Sequence, residues 1–135
     1  MKTLFKILVL AIVVAVFSCT AQTKTMYSYS DGAGNTYEVS EDRVKYIPIK
    51  PEESSSGTYD GGDPVDKAIT KAQFDEIKMI CDSAASDKGS QTDNRLKGTG
   101  LLKVDASGKE SSYIFAGRSR SNKLLGDAMK EIIKD

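Results

Sequence analysis

Apolar residues follow three rhythms along this chain, and each predicts a different element. Ile7 through Phe17 is an unbroken apolar run of about 11 residues, half the roughly 20 that a membrane-spanning helix needs. Tyr27, Tyr29, Tyr37 and Val39 alternate with polar residues, the period of a half-buried strand. They predict a hairpin over 26–40 that turns at Asp31-Gly32-Ala33-Gly34-Asn35, where glycine and Asx residues suit a tight turn. Arg43 to Ile49 is a third strand, with Val44 and Tyr46 on one face and Ile47 and Ile49 on the other. Pro48 cannot donate to a ladder, so that strand lies at an edge or stops there. A short strand over 65–69 follows. Leu102, Val104, Tyr113 and Phe115 predict a second hairpin from strands over 96–104 and 111–116, turning at Asp105-Ala106-Ser107-Gly108.

The third rhythm is helical. Thr70 and Gln73 have capping-box spacing, and Ile69 with Phe74 has that of a hydrophobic staple. Phe74, Ile77, Ile80, Cys81 and Ala84 then share one face, and Gly89 stands where a left-handed residue would close the helix past Ser86–Lys88. A last helix is capped by Ser121 or Asn122 and carries Leu124, Leu125, Ala128, Met129, Ile132 and Ile133 as its stripe. Two amphipathic helices cover one face of a sheet whose strands are joined by tight turns. The expected fold is therefore α+β: a two-layer sandwich of an antiparallel sheet of about 4–6 strands with two helices on one face. The sequence divides into a leader over 1–18, a polar tether over 19–25 and a single domain over 26–135. Both halves run hairpin then helix, which fits either a duplication or reuse of the same turn chemistry.

The leader has a basic head, Lys2 and Lys6, then the apolar run, then Ser18-Cys19. This is the layout of a secretory signal. Val16-Phe17-Ser18-Cys19 resembles the lipobox of bacterial lipoproteins, Phe17 being the position that departs from it. The resemblance implies that Cys19 becomes the mature N-terminus, bearing a diacylglycerol thioether. Membrane lipid is then a partner of the chain through Cys19, because two acyl chains hold a protein on a bilayer where one does not. It also implies a cell-envelope location. Thr20 stands where an Asp often signals inner-membrane retention, which points to the outer membrane. A rival cut after Ala21 would release a soluble periplasmic or secreted protein.

Charge and composition narrow the function. The chain has 19 basic and 19 acidic side chains, no histidine and no tryptophan. Losing Lys2 and Lys6 with the leader makes it slightly acidic, which together with export argues against nucleic acid as a partner. Without histidine there is no Ser-His-Asp or Cys-His site, and no serine–lysine spacing stands out. Cys81 falls on an apolar helix face, the setting of a small hydrophobe rather than a nucleophile. No catalytic residue, metal site or cofactor is expected. Asp60, Asp63 and Asp66, or Asp31 with Asn35, lack an EF-hand register and read as turn formers.

Two segments are candidate partner-binding sites. The loop over 54–63 holds Ser56, Gly57, Tyr59 and Asp60, one large side chain among small adaptable ones, the composition of recognition loops. It has room for a brief strand around Tyr59. Arg118 and Arg120 form a basic cluster before the last helix. The plain alternative for both is a solvated connection. The expected function is an exported, lipid-anchored, non-enzymatic binding or structural module, with an unidentified protein partner. The alternative is an exported inhibitor, for example of a protease, that presents the 54–63 loop.

Overall fold

The computed structural model describes residues 24–134. The leader over 1–18, Cys19, the cut after Ala21 and most of the tether lie outside the described residues. The elements are β1 (Thr25–Ser30), β2 (Thr36–Ser40), β3 (Arg43–Ile47), β4 (Val65–Ala68), α1 (Lys71–Ser86), β5 (Gly100–Ala106), β6 (Lys109–Phe115) and α2 (Arg120–Ile132). Short 3-10 turns occupy Pro51–Glu53 and Lys88–Ser90. All six strands form one antiparallel sheet in the order β4-β3-β2-β1-β5-β6, with both helices packed on the sheet. This is the expected two-layer α+β sandwich.

Strand alternation decides what faces the helices. Two cross-strand rows run through the buried face in register: Tyr46, Tyr37, Tyr29 and Leu102, then Val44, Val39, Tyr27 and Val104. Onto them α1 lays Phe74, Ile77, Cys81 and Ala84, and α2 lays Leu125, Met129 and Ile132. Each large side chain so buried contributes about 1.5–3 kcal/mol. The opposite face is mainly polar, with Ser28, Glu38, Lys45 and Lys103 lying on it. Near the lower row the Tyr27 hydroxyl donates to Asp82 at 3.0 Å, and Lys78 pairs with Asp82 at 2.7 Å. Burial, reinforced by the Asp82 charge, pushes the Tyr27 phenol up to about 12.

Local signals hold where they are self-contained. The Thr70 hydroxyl accepts from the Gln73 amide at 3.2 Å, and the Gln73 side chain accepts from the Thr70 amide at 2.9 Å. The β5–β6 turn closes between Ala106 and Lys109. Ser107 and Gly108 both take positive φ, 60° and 76°, the backbone a two-residue hairpin needs to match strand twist. The β1–β2 turn has five residues between Ser30 and Thr36, so the two hairpins share turn residue types but not turn geometry.

Several expectations are corrected. There is no strand around Tyr59: the segment satisfies its polar groups with its own serines, and Gly57 and Gly62 take φ of 69° and 91°. β5 starts at Gly100 rather than Leu96, because Gly98 is left-handed at φ 86° and Arg95 holds the Thr99 carbonyl and hydroxyl; Leu96 is left 67% exposed. The α2 cap is Ser119, whose hydroxyl accepts from the Asn122 amide at 3.3 Å. Ser121 and Asn122 are instead buried in the first turn, and Leu124 turns outward at 49% exposure. Gly89 is not left-handed; α1 ends at Ser86, and Asp87 caps it and leads into a 3-10 turn. β3 stops at Ile47, just before Pro48, but it is not an edge strand, since β4 pairs with its outer side.

Candidate functional site

The end of the sheet where β1 finishes, β2 begins and β3 finishes carries three aligned tyrosines. Tyr29 pairs with Tyr37, and Tyr37 with Tyr46; the ring centroids are 6.3 Å and 4.8 Å apart. They form the floor of a cleft of about 850 Å³ between α2 and the loop after β3. Burial raises all three phenols above their ordinary range, so at neutral pH each keeps its proton.

One wall is assembled by Asn35. In the turn before it, Asp31 Oδ1 accepts from the amides of Ala33, Gly34 and Asn35, each at 2.9 Å. This fixes the turn and buries the Asn35 side chain. Its Nδ2 donates to Asp31 Oδ2 and to the Tyr59 hydroxyl, both at 2.9 Å, and its Oδ1 accepts from the Ile49 amide at 3.1 Å. Tyr46 donates to the Gly61 carbonyl at 2.7 Å. A β-carbon on Gly61 would overlap Asn35 Oδ1 and crowd Pro48, so only glycine lets this loop lie against the turn. Tyr59 is thereby tied in as a wall and stays 40% exposed.

The other wall is α2. Asn122 Oδ1 accepts from the Tyr29 hydroxyl at 2.8 Å, and Asn122 Nδ2 donates to the Gly117 carbonyl at 3.0 Å. Gly126 faces Tyr29 and leaves the space between helix and floor open. At the far corner three loops meet through glycine backbones, since a β-carbon on Gly32 or on Gly117 would come within 2.6 Å of the Gly98 carbonyl oxygen. The rim is cationic: Arg118, Lys123, Lys130 and Lys134. Lys123 pairs with Asp127 at 2.6 Å and Lys134 with Glu131 at 3.0 Å. Arg118 and Lys130 form no ion pair among the described residues.

Of the partner-binding candidates singled out from sequence, the structure brings two together: Tyr59 and Arg118 line the same cleft. Asp60 lies beside it, accepting from the Gly62 amide at 2.9 Å and pairing with Lys50 at 3.5 Å. Ser56 and Gly57 form the exposed loop tip, where the Ser56 hydroxyl accepts from Thr58 at 3.2 Å. Arg120 lies elsewhere, beside a second depression near Asp87 and Ser90. There Asp87 Oδ2 accepts from the hydroxyls of Ser90 and Ser121, at 2.5 Å and 2.6 Å, and locks the end of α1 to the start of α2. Among the carboxylates considered as turn formers, Asp31 is engaged by amides and Asp66 by Arg43.

Sequence reasoning assigned Tyr29, Tyr37 and Tyr46 to strand packing, Asn35 to a turn and Asn122 to a cap. The available signal was the choice of tyrosine at inward positions that leucine or valine would fill with no polar atom to satisfy. Compared with protein-family models, with curated proteins and with solved structures, the chain finds no match.

Proposed function

We propose that this chain is a non-enzymatic binding module of the bacterial cell envelope, exported on its leader, held on the membrane by lipid at Cys19, and recognising its ligand in the tyrosine-floored cleft. The observation that carries this reading is the construction of the cleft. Two buried asparagines, a row of tyrosines and several glycines at close approaches hold open a concave space whose rim carries two cations, Arg118 and Lys130, without ion pairs among the described residues. Concavity with a few fixed polar groups is the general form of a small-ligand site.

The direction of the chain fits such a role. The tether enters β1 at Thr25, and the cleft lies at the other end of that strand, roughly 20 Å away at strand rise. The residues from Cys19 to Lys24 add at most about 20 Å of reach. A lipid on Cys19 would thus hold the opposite pole near the bilayer and turn the cleft outward. Intact-mass measurement of the membrane fraction tests the anchor: a diacylated species starting at Cys19, lost in Cys19→Ser, is expected, and a soluble species starting at Gln22 overturns it. For the cleft, a small-molecule extract of the envelope is expected to raise the Tm of the wild type, as any ligand of the folded state does. Gly126→Leu, which fills the cleft, should lose that shift. An equal shift in both chains, or none in either, overturns the site.

The inhibitor reading draws on one observation. The Ser54 hydroxyl accepts from the Tyr59 amide at 3.3 Å and donates to the Pro51 carbonyl at 3.0 Å, bracing a loop whose tip is exposed. It requires that changes at Ser56 and Gly57 abolish partner binding while Gly126→Leu leaves it intact.

A further inference from the structure

We infer that the cleft takes an acidic sugar, a ring-shaped, hydroxyl-rich ligand that carries a carboxylate. This rests on the cleft being the recognition site proposed above. The decisive residue is Tyr37. It is only 2% exposed, and the one polar partner of its hydroxyl among the described residues is the neighbouring Tyr46 hydroxyl, outside ordinary hydrogen-bond geometry. No fully enclosed polar side-chain atom in the described residues lacks a partner. The Tyr37 hydroxyl is therefore the part of that side chain that reaches the cleft.

Its neighbours are committed differently. Tyr29 gives its proton to Asn122. Tyr46, a polar neighbour of Tyr37, gives its own to Gly61. Tyr59 accepts from Asn35, which leaves its proton free. The cleft thus offers phenols in both senses: Tyr59 has a free proton, Tyr37 one held only weakly, and Tyr29 and Tyr46 oxygens that can accept. A sugar hydroxyl has the same double capacity, and a phenol meets it in either sense. The exposed part of the Tyr59 ring adds a flat apolar surface of low conformational entropy for the C–H face of a pyranose.

The rim supplies the acidic preference. Arg118 and Lys130 stand at the mouth without ion pairs among the described residues, while Lys123 and Lys134 beside them are paired along the helix. A planar guanidinium matches a carboxylate with two parallel hydrogen bonds. A simple inorganic anion would use the rim and leave the phenols idle. A neutral sugar would use the phenols and leave the rim idle. An acidic sugar uses both, and a cleft of 850 Å³ lies within the size range of small-ligand sites, about 300–1,000 Å³.

The test uses the full lipidated chain in detergent, with its tyrosine fluorescence as the signal, since it contains no tryptophan. Glucuronate, glucose and inorganic phosphate are titrated separately. Saturation by glucuronate is expected, at least about tenfold tighter than by glucose or phosphate. Tyr37→Phe should weaken glucuronate about five- to tenfold with little fall in Tm, because within the fold the hydroxyl it removes has only the weak contact to Tyr46. Arg118→Gln should bring glucuronate close to glucose. Three results each overturn the inference: no saturation by glucuronate, equal affinity for phosphate, or unchanged binding in Tyr37→Phe. If the envelope extract still stabilises the wild type and not Gly126→Leu, the cleft remains a binding site and only the acidic sugar is rejected.

Discussion

Replacing Asn35 by alanine should detach one wall of the cleft and cost the fold about 3 kcal/mol. The side chain makes three hydrogen bonds, to Asp31 Oδ2, to the Tyr59 hydroxyl and from the Ile49 amide, each worth about 1 kcal/mol net. Two of them join segments far apart in sequence, so truncation also leaves the Ile49 amide and the Tyr59 hydroxyl without partners. Three such bonds are a large share of the roughly 5–15 kcal/mol that holds a domain folded. For a domain of this size the loss corresponds to a fall in Tm of about 12 °C, at roughly 4 °C per kcal/mol. Urea unfolding followed by far-ultraviolet circular dichroism measures it directly. Tyr59→Phe removes one of the three bonds, so by itself it should cost about 1 kcal/mol, and the double variant should show a coupling of about the same size. The reasoning is refuted if Asn35→Ala costs less than about 1 kcal/mol, or if the cycle shows no coupling, because either result means that the turn, the loop and Tyr59 stand independently.

Other parts of the fold make separate predictions. Hydrogen bonds from the Ser121 and Ser90 hydroxyls hold the Asp87 carboxyl below its ordinary value of 3.8. A lowered folded pKa contributes stability that is present above the unfolded value and lost as pH falls through the folded one. The urea midpoint of the wild type should therefore drop on acidification below about pH 4 more steeply than that of Asp87→Ala; parallel curves refute the link. Gly100→Ala should destabilise by about 1–3 kcal/mol through overpacking, since its β-carbon would overlap Asn122 Oδ1 and press on the Tyr29 ring; a neutral melt refutes that packing. Cys81 is wholly buried, and burial pushes its thiol up to about 12. In a Cys19→Ser background it should react with a thiol reagent only as fast as the chain unfolds, and rapid labelling of the native chain would contradict its burial.

What could be read directly from residues follows the range of each interaction. The Thr70–Gln73 cap, the amides gathered by Asp31 and the Ser107-Gly108 turn are all made within five residues. Their chemistry is complete in the local sequence, and each forms as the residue types imply. Misplaced boundaries have two causes. Arg95 takes the carbonyl of Thr99, four residues on, a side-chain bond that periodicity does not report, and delays β5. Asp87, 34 positions before Ser121, draws that serine inward, and the cap passes to Ser119.

The site divides in the same way. Tyr59 drew notice as a lone large side chain in a soft loop, and Arg118 as part of a basic cluster, but nothing local says that they face each other. Their meeting depends on β5 joining the free side of β1, which sets the β6–α2 connection beside the β1–β2 turn. It depends also on Asn35 reaching 24 residues along the chain to Tyr59.

The sequence alone determined the order of elements, the sheet face that turns inward and the layer architecture. Period and capping are properties of neighbouring residues, and burial needs only that an apolar face find cover. The tertiary structure alone decided that the tyrosine row ends in an open cleft rather than in solid core. Alternation shows which way a side chain points, but not whether a helix, a glycine or empty space stands opposite. At Tyr37 that difference leaves the hydroxyl at the cleft, with only the neighbouring Tyr46 hydroxyl beside it.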